Sequence, residues 1–460
     1  MRLMTYTADI IEQYSHAVPR YTSYPTAPHF SSDLQSATVR QWISKIDSDE
    51  RISLYIHIPF CDRLCWFCGC HTKHTLKYDP IRAYLEAIYD EIRLIAKTIG
   101  RKQTIGRKQT IERLHLGGGS PSLLRPEDLA KLKRTLLQNF QFTPSTEISL
   151  EFDPTDLTAA DLKAFAAFGV TRASIGVQDF NLKVQKAINR PQSFEQTRRV
   201  VDTLRDLGVT SINIDALYGL PHQTTYLFRK SLDKVISLNP DRVALFGYAH
   251  VPWVKPHQKL IPENALPDNF ERFRQARMGE RMLKDVGYDA IGLDHFAKPE
   301  DSLTIAAKAG HLRRNFQGYT ADQCQTLIGL GTSSISQYRQ GYAQNVKDVR
   351  GYKRSIAESL LPIARGITLS QHDRLIATAI EELMCNFTLT PTRLASKFGS
   401  MSDMVIMRAE RIAEALTAEI FYRDGEQFKI TPYGKPFVRT IASHFDEYLT
   451  IGSQQYSIAV

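Results

Sequence analysis

The sequence predicts an α/β fold built as a partial, TIM-like (β/α)6 barrel, with an irregular N-terminal arm and a mainly helical C-terminal domain. Three observations carry that expectation. Six short apolar runs alternate with segments whose apolar residues recur at helical spacing, the pattern of βα units around a parallel sheet. No Gly-x-Gly-x-x-Gly follows the first run, which argues against a dinucleotide-binding open sheet. The 460 residues, 43% apolar and 23% charged, suffice for one large barrel and a smaller domain.

Residues 1–50 are polar and turn-rich, and Pro19, Pro25 and Pro28 fall within PRYTSYPTAPHF, which favours extended backbone; this is the arm, expected to fold over the active site. The runs SLYIHI (53–58), ERLHL (112–116), EISLEF (147–152), RASIGV (172–177), INIDAL (212–217) and RVALFG (242–247) are the expected strands. Helical segments such as 80–99, 162–169, 193–208 and 227–238 lie between them, and YDAIGLDHF (288–296) and LIGLGTSS (327–334) extend the sheet. The barrel and its extension are assigned to residues 51–364. From 365 to 460 the pattern changes to helices followed by two short strands about Asp424-Gly425, then a last helix. That order is compatible with a winged helix, so nucleic-acid binding stands as an alternative, although no Arg/Lys-rich recognition helix is evident. IGRKQT occurs twice in tandem (99–104 and 105–110) and reads as a duplicated surface loop.

Composition narrows the function. Lysine and arginine total 58 against 49 acids, a net +9 that suits nucleic acid, an anionic surface or a small polyanion equally. No apolar run approaches the roughly 18 residues of a membrane span. The first 15 residues carry Asp9 and Glu12 where an export signal would be apolar, so a cytoplasmic location is expected. Of six cysteines, Cys61, Cys65, Cys68 and Cys70 lie within ten residues just after the first strand, while Cys324 and Cys385 stand alone, which is not a disulfide framework.

Three chemistries compete for Cys-x3-Cys-x2-Cys-x-Cys. Structural zinc prefers two separated ligand pairs. The Cys65-Trp66-Phe67-Cys68 portion could be a dithiol redox pair, which leaves Cys61 and Cys70 unused. An iron–sulfur cluster suits soft thiolates on one short loop, and three ligands would leave one iron open for chemistry. Residues that follow the other strands would gather at the same carboxyl face: Gly117, Gly118, Gly119 and Ser120 after the second, Glu151 at the third, Gln178 after the fourth, Asp215 in the fifth and Ala249 after the sixth. Glu151 and Asp215 could bind an ammonium group or ribose hydroxyls, and Gly118 and Gly119 would let a ligand approach the backbone. Tyr55 and His57 share a strand face and, like Phe67, could equally serve packing.

The Cys-x3-Cys-x2-Cys spacing resembles that of the radical S-adenosylmethionine (SAM) enzymes. PRYTSYPTA, LYIHIPFC, CWFCGC, GGGSP, EFDP, GVQDFN, NIDALYGLP, YAHVP and IGLDHFAKP together resemble the oxygen-independent coproporphyrinogen III oxidases over nearly the whole chain. The resemblance implies a 4Fe–4S cluster on Cys61, Cys65 and Cys68, with Cys70 needed for activity without being an ordinary ligand. It implies two SAM molecules. The cluster-bound one would meet Tyr55, Gly118, Glu151 and Ile335; the second would meet Phe67, Gly119, Ser120, Gln178, Arg190, Asp215 and Ala249. Ser120 replaces the commoner threonine and keeps the hydroxyl. The implied reaction is oxidative decarboxylation of two propionates of coproporphyrinogen III to vinyl groups through a 5'-deoxyadenosyl radical. A flavodoxin- or ferredoxin-type electron donor and a monomeric state are also implied, with no nucleic-acid partner and no membrane span. Arg20, Arg63 and Lys298 are candidates for the substrate carboxylates. Haem chaperones and radical methyltransferases of the same superfamily are the alternatives.

Overall fold

The computed structural model describes residues 6–100, 108–449, 456 and 457; most of the duplicated hexamer falls at 101–107, outside them. In the arm, 19–25 is irregular rather than extended, with bends at 22–25 and Tyr21 at φ 47°, while the flanking segments form two short helices, α1 (Ala8–Tyr14) and α2 (Ser36–Ile43), which the polar composition did not suggest. The Thr7 hydroxyl caps α1, and Val39, Trp42 and Ile43 give α2 its buried stripe.

Each predicted apolar run is a strand: β1 (Ile52–Ile58), β2 (Thr110–Gly118), β3 (Gln141–Phe152), β4 (Arg172–Gln178), β5 (Ser211–Tyr218) and β6 (Arg242–Gly247). They pair in parallel in chain order. The crossovers carry α3 (Asp79–Ile99), α4 (Pro126–Asn139), α5 (Ala159–Phe168), α6 (Leu182–Ala187), α7 (Phe194–Asp206) and α8 (Thr225–Ser237), and α9 (Asn269–Asp285) follows β6. Strand residues such as Leu54, Ile56, Leu116, Leu150, Ile175 and Ile214 are buried in one large core with residues of these helices.

The sheet stays open, and further strands extend it on both sides of the six. β7 (Asp289–Ile291) and β8 (His295–Ala297) form a hairpin whose second strand runs antiparallel to β6. On the other side β9 (Leu327–Leu330) runs parallel to β1 and leads antiparallel into β10 (Ile335–Tyr338), β11 (Gly341–Asn345) and β12 (Ile363–Thr368). The order is β12-β11-β10-β9-β1-β2-β3-β4-β5-β6-β8-β7.

A barrel of this kind usually fills its inside with branched apolar side chains. Here the alternate strand positions are polar. Toward the amino ends, Arg113 and Arg172 grip Glu147 at 2.6 and 2.8 Å, and Arg242 binds Asp301 at 2.7 Å. Burial raises the Glu147 carboxyl, but the two guanidinium groups override it and hold its pKa at about 2. This ion network closes one end and leaves the carboxyl end for chemistry.

Short helices α10 (Ser302–Lys308) and α11 (Val349–Ala357) complete the extension. Glu91 of α3 is buried and accepts from Gly331 N (2.7 Å), Asn345 Nδ2 (3.0 Å) and Tyr352 Oη (2.6 Å), tying the β9–β10 loop, β11 and α11 together. Burial pushes its pKa from 4.5 to about 7. A carboxyl raised on folding contributes stability that is present below 4.5 and lost as pH rises through about 7. Glu91→Gln should therefore remove a loss of up to about 3 kcal/mol, measured as the wild-type-minus-variant difference in unfolding free energy between pH 4.5 and pH 8.

The C-terminal segment runs α12 (Gln371–Asn386), β13 (Thr388–Leu389), α13 (Pro391–Phe398), α14 (Asp403–Ala415), β14 (Phe421–Asp424), β15 (Gln427–Ile430) and α15 (Val438–Ser443), with sheet order β13-β15-β14. This is the order of a winged helix, and Gly425 at φ 59° makes the hairpin turn. In the recognition position α14 carries Asp403, Glu410 and Glu414 against Arg408 and Arg411, and Arg408 is paired to Glu447 at 2.6 Å. It offers no basic stripe for phosphates.

The arm is built into this second core rather than lying loose on the barrel. Ile11, Tyr14, Val18, Tyr21 and Tyr24 pack with Leu375, Phe437 and Ile441. Thr440 Oγ1 donates to Tyr14 O at 2.6 Å, Tyr21 Oη to Asp446 at 3.0 Å and Arg439 Nε to Pro19 O at 3.1 Å. Removing residues 1–35 would thus open a hydrophobic core.

Candidate active site

Beyond β1 the chain turns at Pro59, makes a two-residue pairing of Phe60–Cys61 with Lys73–His74, and carries all four clustered cysteines between these segments. No disulfide joins them. The loop is fixed from both sides of its midpoint. Trp66 N donates to Ile188 O at 2.9 Å and Asn189 Nδ2 to Leu64 O at 2.9 Å. From the segment after β6, Gln258 Nε2 donates to Phe67 O at 3.0 Å, Lys255 Nζ to Cys70 O at 2.7 Å, and His257 Nε2 meets Cys68 O at 2.8 Å.

Burial and the groups around the thiols pull in opposite directions, and of the four only Cys68 is shifted toward thiolate. Arg190 Nη1 lies 3.5 Å from Cys65 Sγ and 2.9 Å from Asp153, and Arg190 Nη2 donates to Gly176 O at 2.8 Å. A hydrogen bond from the Cys70 thiol lowers Cys68 to about 7 against the opposing effect of burial, with Lys255 and Arg190 assisting. Burial raises Cys61 to about 12 and raises Cys65 as well, although Ser120 hydrogen-bonds Cys61 and Arg190 draws Cys65 down. Among the described residues no group of three or more His, Cys, Asp or Glu side chains converges on a single-ion site. Three adjacent thiols beside a buried guanidinium fit a cluster, which spreads its ligands over several irons, better than one tetrahedral ion.

A polar row continues from this loop across the strand ends. Tyr55 Oη is 3.0 Å from His57 Nδ1, His57 Nε2 is 2.9 Å from His71 O, and the Tyr55 ring stacks on His115 at 5.6 Å. His115 Nε2 is 3.3 Å from Glu151, whose other oxygen accepts from Gly118 N at 2.9 Å. Burial alone would raise Glu151, but His115 and the Gly118 N–H outweigh it and leave the pKa below the ordinary carboxylate value. Asp215 takes Asn213 Nδ2 at 2.7 Å and Ser174 Oγ at 3.4 Å; burial and then the Glu151 charge raise it to about 6.

The glycines are spacing devices. A Cβ at Gly118, which has φ 119°, would stand 2.5 Å from His57, and one at Gly119 would stand 2.6 Å from Phe60 O. Ser120 N donates to Phe60 O at 2.8 Å, stitching this turn to the cysteine loop. Gln178 holds φ 68°, a left-handed conformation uncommon for a side-chain-bearing residue, and its amide lies with Arg190 over Gly176. Ile335 stands in the same cross-strand row as Tyr55, because Gly329 pairs with Tyr55 and a Cβ there would touch Ile335 O at 2.8 Å. Phe67 packs against Val184, Ile188, Leu217 and Tyr248, and Ala249 O accepts from Gln258.

The candidate site thus gathers residues from every strand of the barrel, and comparison with known proteins shows the family to which the chain belongs. Residues 55–233 match the family model of the radical SAM superfamily. An oxygen-independent coproporphyrinogen III oxidase from Bradyrhizobium diazoefficiens is 43% identical over 98% of this chain and 100% of that one. One from Synechocystis is 38% identical over 98% and 97%. The solved structure of coproporphyrinogen III oxidase from Escherichia coli, a radical SAM enzyme, superposes with a TM-score of 0.89 at 34% identity, covering 97% of this chain and 100% of that one. The chain belongs to the oxygen-independent coproporphyrinogen III oxidase family.

As a member of that family it is a radical SAM oxidoreductase, and the family implies a 4Fe–4S cluster and SAM. Several residues that shape the site escaped the sequence reading: His115, Asp153, Ser174, Asn213, Lys255 and His257. Polar residues at alternate positions of otherwise apolar parallel strands were the available signal for His115, Ser174 and Asn213. Of the carboxylate candidates, Arg20 reaches Gly247 O at 3.2 Å, at the carboxyl end of β6. Arg63 donates to Pro191 O, and Lys298 pairs with Asp241 at 3.4 Å at the opposite, amino-terminal end of β6, because β8 runs antiparallel there.

Proposed function

We propose that the chain converts two propionate side chains of coproporphyrinogen III to vinyl groups without oxygen, giving protoporphyrinogen IX for haem synthesis. The observation that supports this best is that the similarity runs through arm, barrel and C-terminal segment alike, beyond the part matched by the superfamily model. Cys61, Cys65 and Cys68 would hold the cluster. Tyr55, Gly118, Glu151 and Ile335 would hold one SAM, and Phe67, Gly119, Ser120, Gln178, Arg190, Asp215 and Ala249 a second. When bound, cluster and SAM supply a one-electron reductive cleavage that yields a carbon radical.

The chain's own residues do the rest. Arg190 opposes the effect of burial on Cys65 and so favours its thiolate, and Glu151, held ionised by His115 and Gly118 N–H, offers its carboxylate to a ligand ammonium. The Cys70 thiol donates to Cys68 and so acts on a cluster ligand. The apolar group around Val184, Ile188, Leu217 and Tyr248 backs Phe67 and keeps water from that wall. The electron would come from a flavodoxin- or ferredoxin-type protein, and the enzyme would act as a cytoplasmic monomer; no helix among the described residues is long and apolar enough to cross a membrane.

Anaerobic reconstitution with iron and sulfide, then mass analysis of the porphyrinogen, tests the proposal. Two successive decarboxylations are expected; haem binding without decarboxylation would instead indicate a carrier. Asp215 adds a pH signature. Its carboxyl is raised to about 6, so it is ionised above that pH and neutral below. SAM affinity should fall by up to about tenfold as pH drops from 7.5 to 5, and Asp215→Asn should show the weak affinity throughout, measured by equilibrium dialysis.

A further inference from the structure

A cavity of about 210 Å³ opens beside Ala249 between the carboxyl end of β6, α9 and the C-terminal segment. Among the described residues, seven basic and two acidic side chains line it. Both acids are already engaged: Glu280 pairs with Arg277 and with Lys284 at 3.7 Å, and Asp294 with His295 at 2.7 Å. Three arginines from distant parts of the chain bring a surplus of positive charge that Asp294 offsets only in part. Arg20 of the arm donates to Gly247 O at 3.2 Å, Arg272 of α9 to Tyr248 O at 2.9 Å, and Arg314 to Arg20 O at 3.3 Å. Among the described residues none of the three is in an ion pair; their hydrogen bonds run to main-chain carbonyls. Arg272 Nε and Arg314 Nη1 are buried with no hydrogen-bond partner among the described residues. Arg439, which donates to Pro19 O, stands as a fourth guanidinium on the same wall.

Gathering like charges around one half-buried cavity is costly unless an anion joins them. Burial, then Arg20 and Arg314, lower Arg439 to about 9, and burial with Arg20 lowers Arg272. Two orphaned guanidinium N–H groups call for an acceptor that the described residues do not supply. Planar guanidinium groups match carboxylates in geometry as well as charge.

We infer that Arg20, Arg272 and Arg314 form a carboxylate subsite that holds propionate arms of the porphyrinogen while the reacting arm faces the cysteine loop. The inference rests on the substrate proposed above and adds the residues that recognise it. It also gives the arm a function: Arg20 joins the barrel's carboxyl face to the C-terminal core, so the substrate pocket is completed by three parts of the chain.

The test uses the reconstituted holoenzyme and two non-reacting probes, coproporphyrin III and its tetramethyl ester, by fluorescence quenching, with KM and kcat for coproporphyrinogen III alongside. Wild type should bind the tetra-acid at least about tenfold more tightly than the ester. Arg20→Gln and the Arg272→Gln/Arg314→Gln pair should each lose about tenfold or more in acid binding and raise KM, with SAM affinity and cluster absorbance unchanged. Arg20 is exposed on the arm, so its variant remains informative if the double variant does not fold. If wild type binds acid and ester alike, or if Arg20→Gln binds the acid as wild type does, the subsite is refuted while the proposed reaction stands. If wild type neither binds nor converts the porphyrinogen, the proposed reaction fails and the subsite with it.

Discussion

Cys65→Ser is expected to yield a folded chain that, after anaerobic reconstitution, lacks the visible absorbance of an iron–sulfur cluster and retains less than about a thousandth of wild-type turnover. Cys65 is the one buried thiol of the three proposed ligands, and Arg190 lies 3.5 Å from its sulfur. Serine keeps the volume and a hydroxyl for Arg190, and the Arg190–Asp153 pair at 2.9 Å remains, so the fold should survive. A hard oxygen is a poor replacement for a soft thiolate on iron. Iron analysis and thermal melting separate the two effects: iron near zero with a melting temperature within a few degrees of wild type is the predicted combination. Cluster absorbance at the wild-type level would remove Cys65 from the ligand set.

Gly118→Ala should produce the next largest effect, a loss of about 2–4 kcal/mol of stability and at least about tenfold in SAM affinity. The added methyl would take a left-handed φ of 119° and stand 2.5 Å from the His57 ring. That ring is held by Tyr55 Oη at 3.0 Å and His71 O at 2.9 Å, so it cannot swing away without releasing both. Gly118 N–H also holds Glu151 at 2.9 Å, so the disturbance reaches the carboxylate proposed to bind SAM. A double variant, Gly118→Ala with His57→Ala, removes the clash and keeps the backbone strain. It should recover part of the stability lost by Gly118→Ala, measured as a non-additive double-mutant cycle. Strict additivity would mean that the two residues do not meet.

Much of this was legible in the residues themselves. Apolar runs located the six barrel strands because Pro, Gly or charged residues mark the ends of most of them, and RVALFG matched its strand residue for residue. Single-residue candidates such as Glu151 and Asp215 fell at the carboxyl face because a parallel βα unit places its strand ends there. The support around them was hidden for a physical reason. Lys255 and His257 hold the cysteine loop from nearly two hundred residues away, and such pairings follow from tertiary closure that no local pattern encodes. The arm was misjudged for the opposite reason: Ile11, Tyr14 and Val18 are too few to signal a helix with a core face, yet they complete the core of another segment. Lys298 was misplaced because β8 reverses direction, and a run of apolar residues does not show which way it runs.

The account's central claim is that the cysteine loop, the Glu151–Asp215 row and the arginine-lined cavity act together on a propionate side chain. The most direct measurement uses coproporphyrinogen III carrying deuterium at the propionate β-carbons, turned over anaerobically by the reconstituted enzyme, with mass analysis of both products. The account predicts deuterium in the released 5'-deoxyadenosine together with two vinyl groups in the porphyrinogen. Vinyl products with unlabelled 5'-deoxyadenosine, or labelled substrate returned unchanged while SAM is consumed, would contradict it.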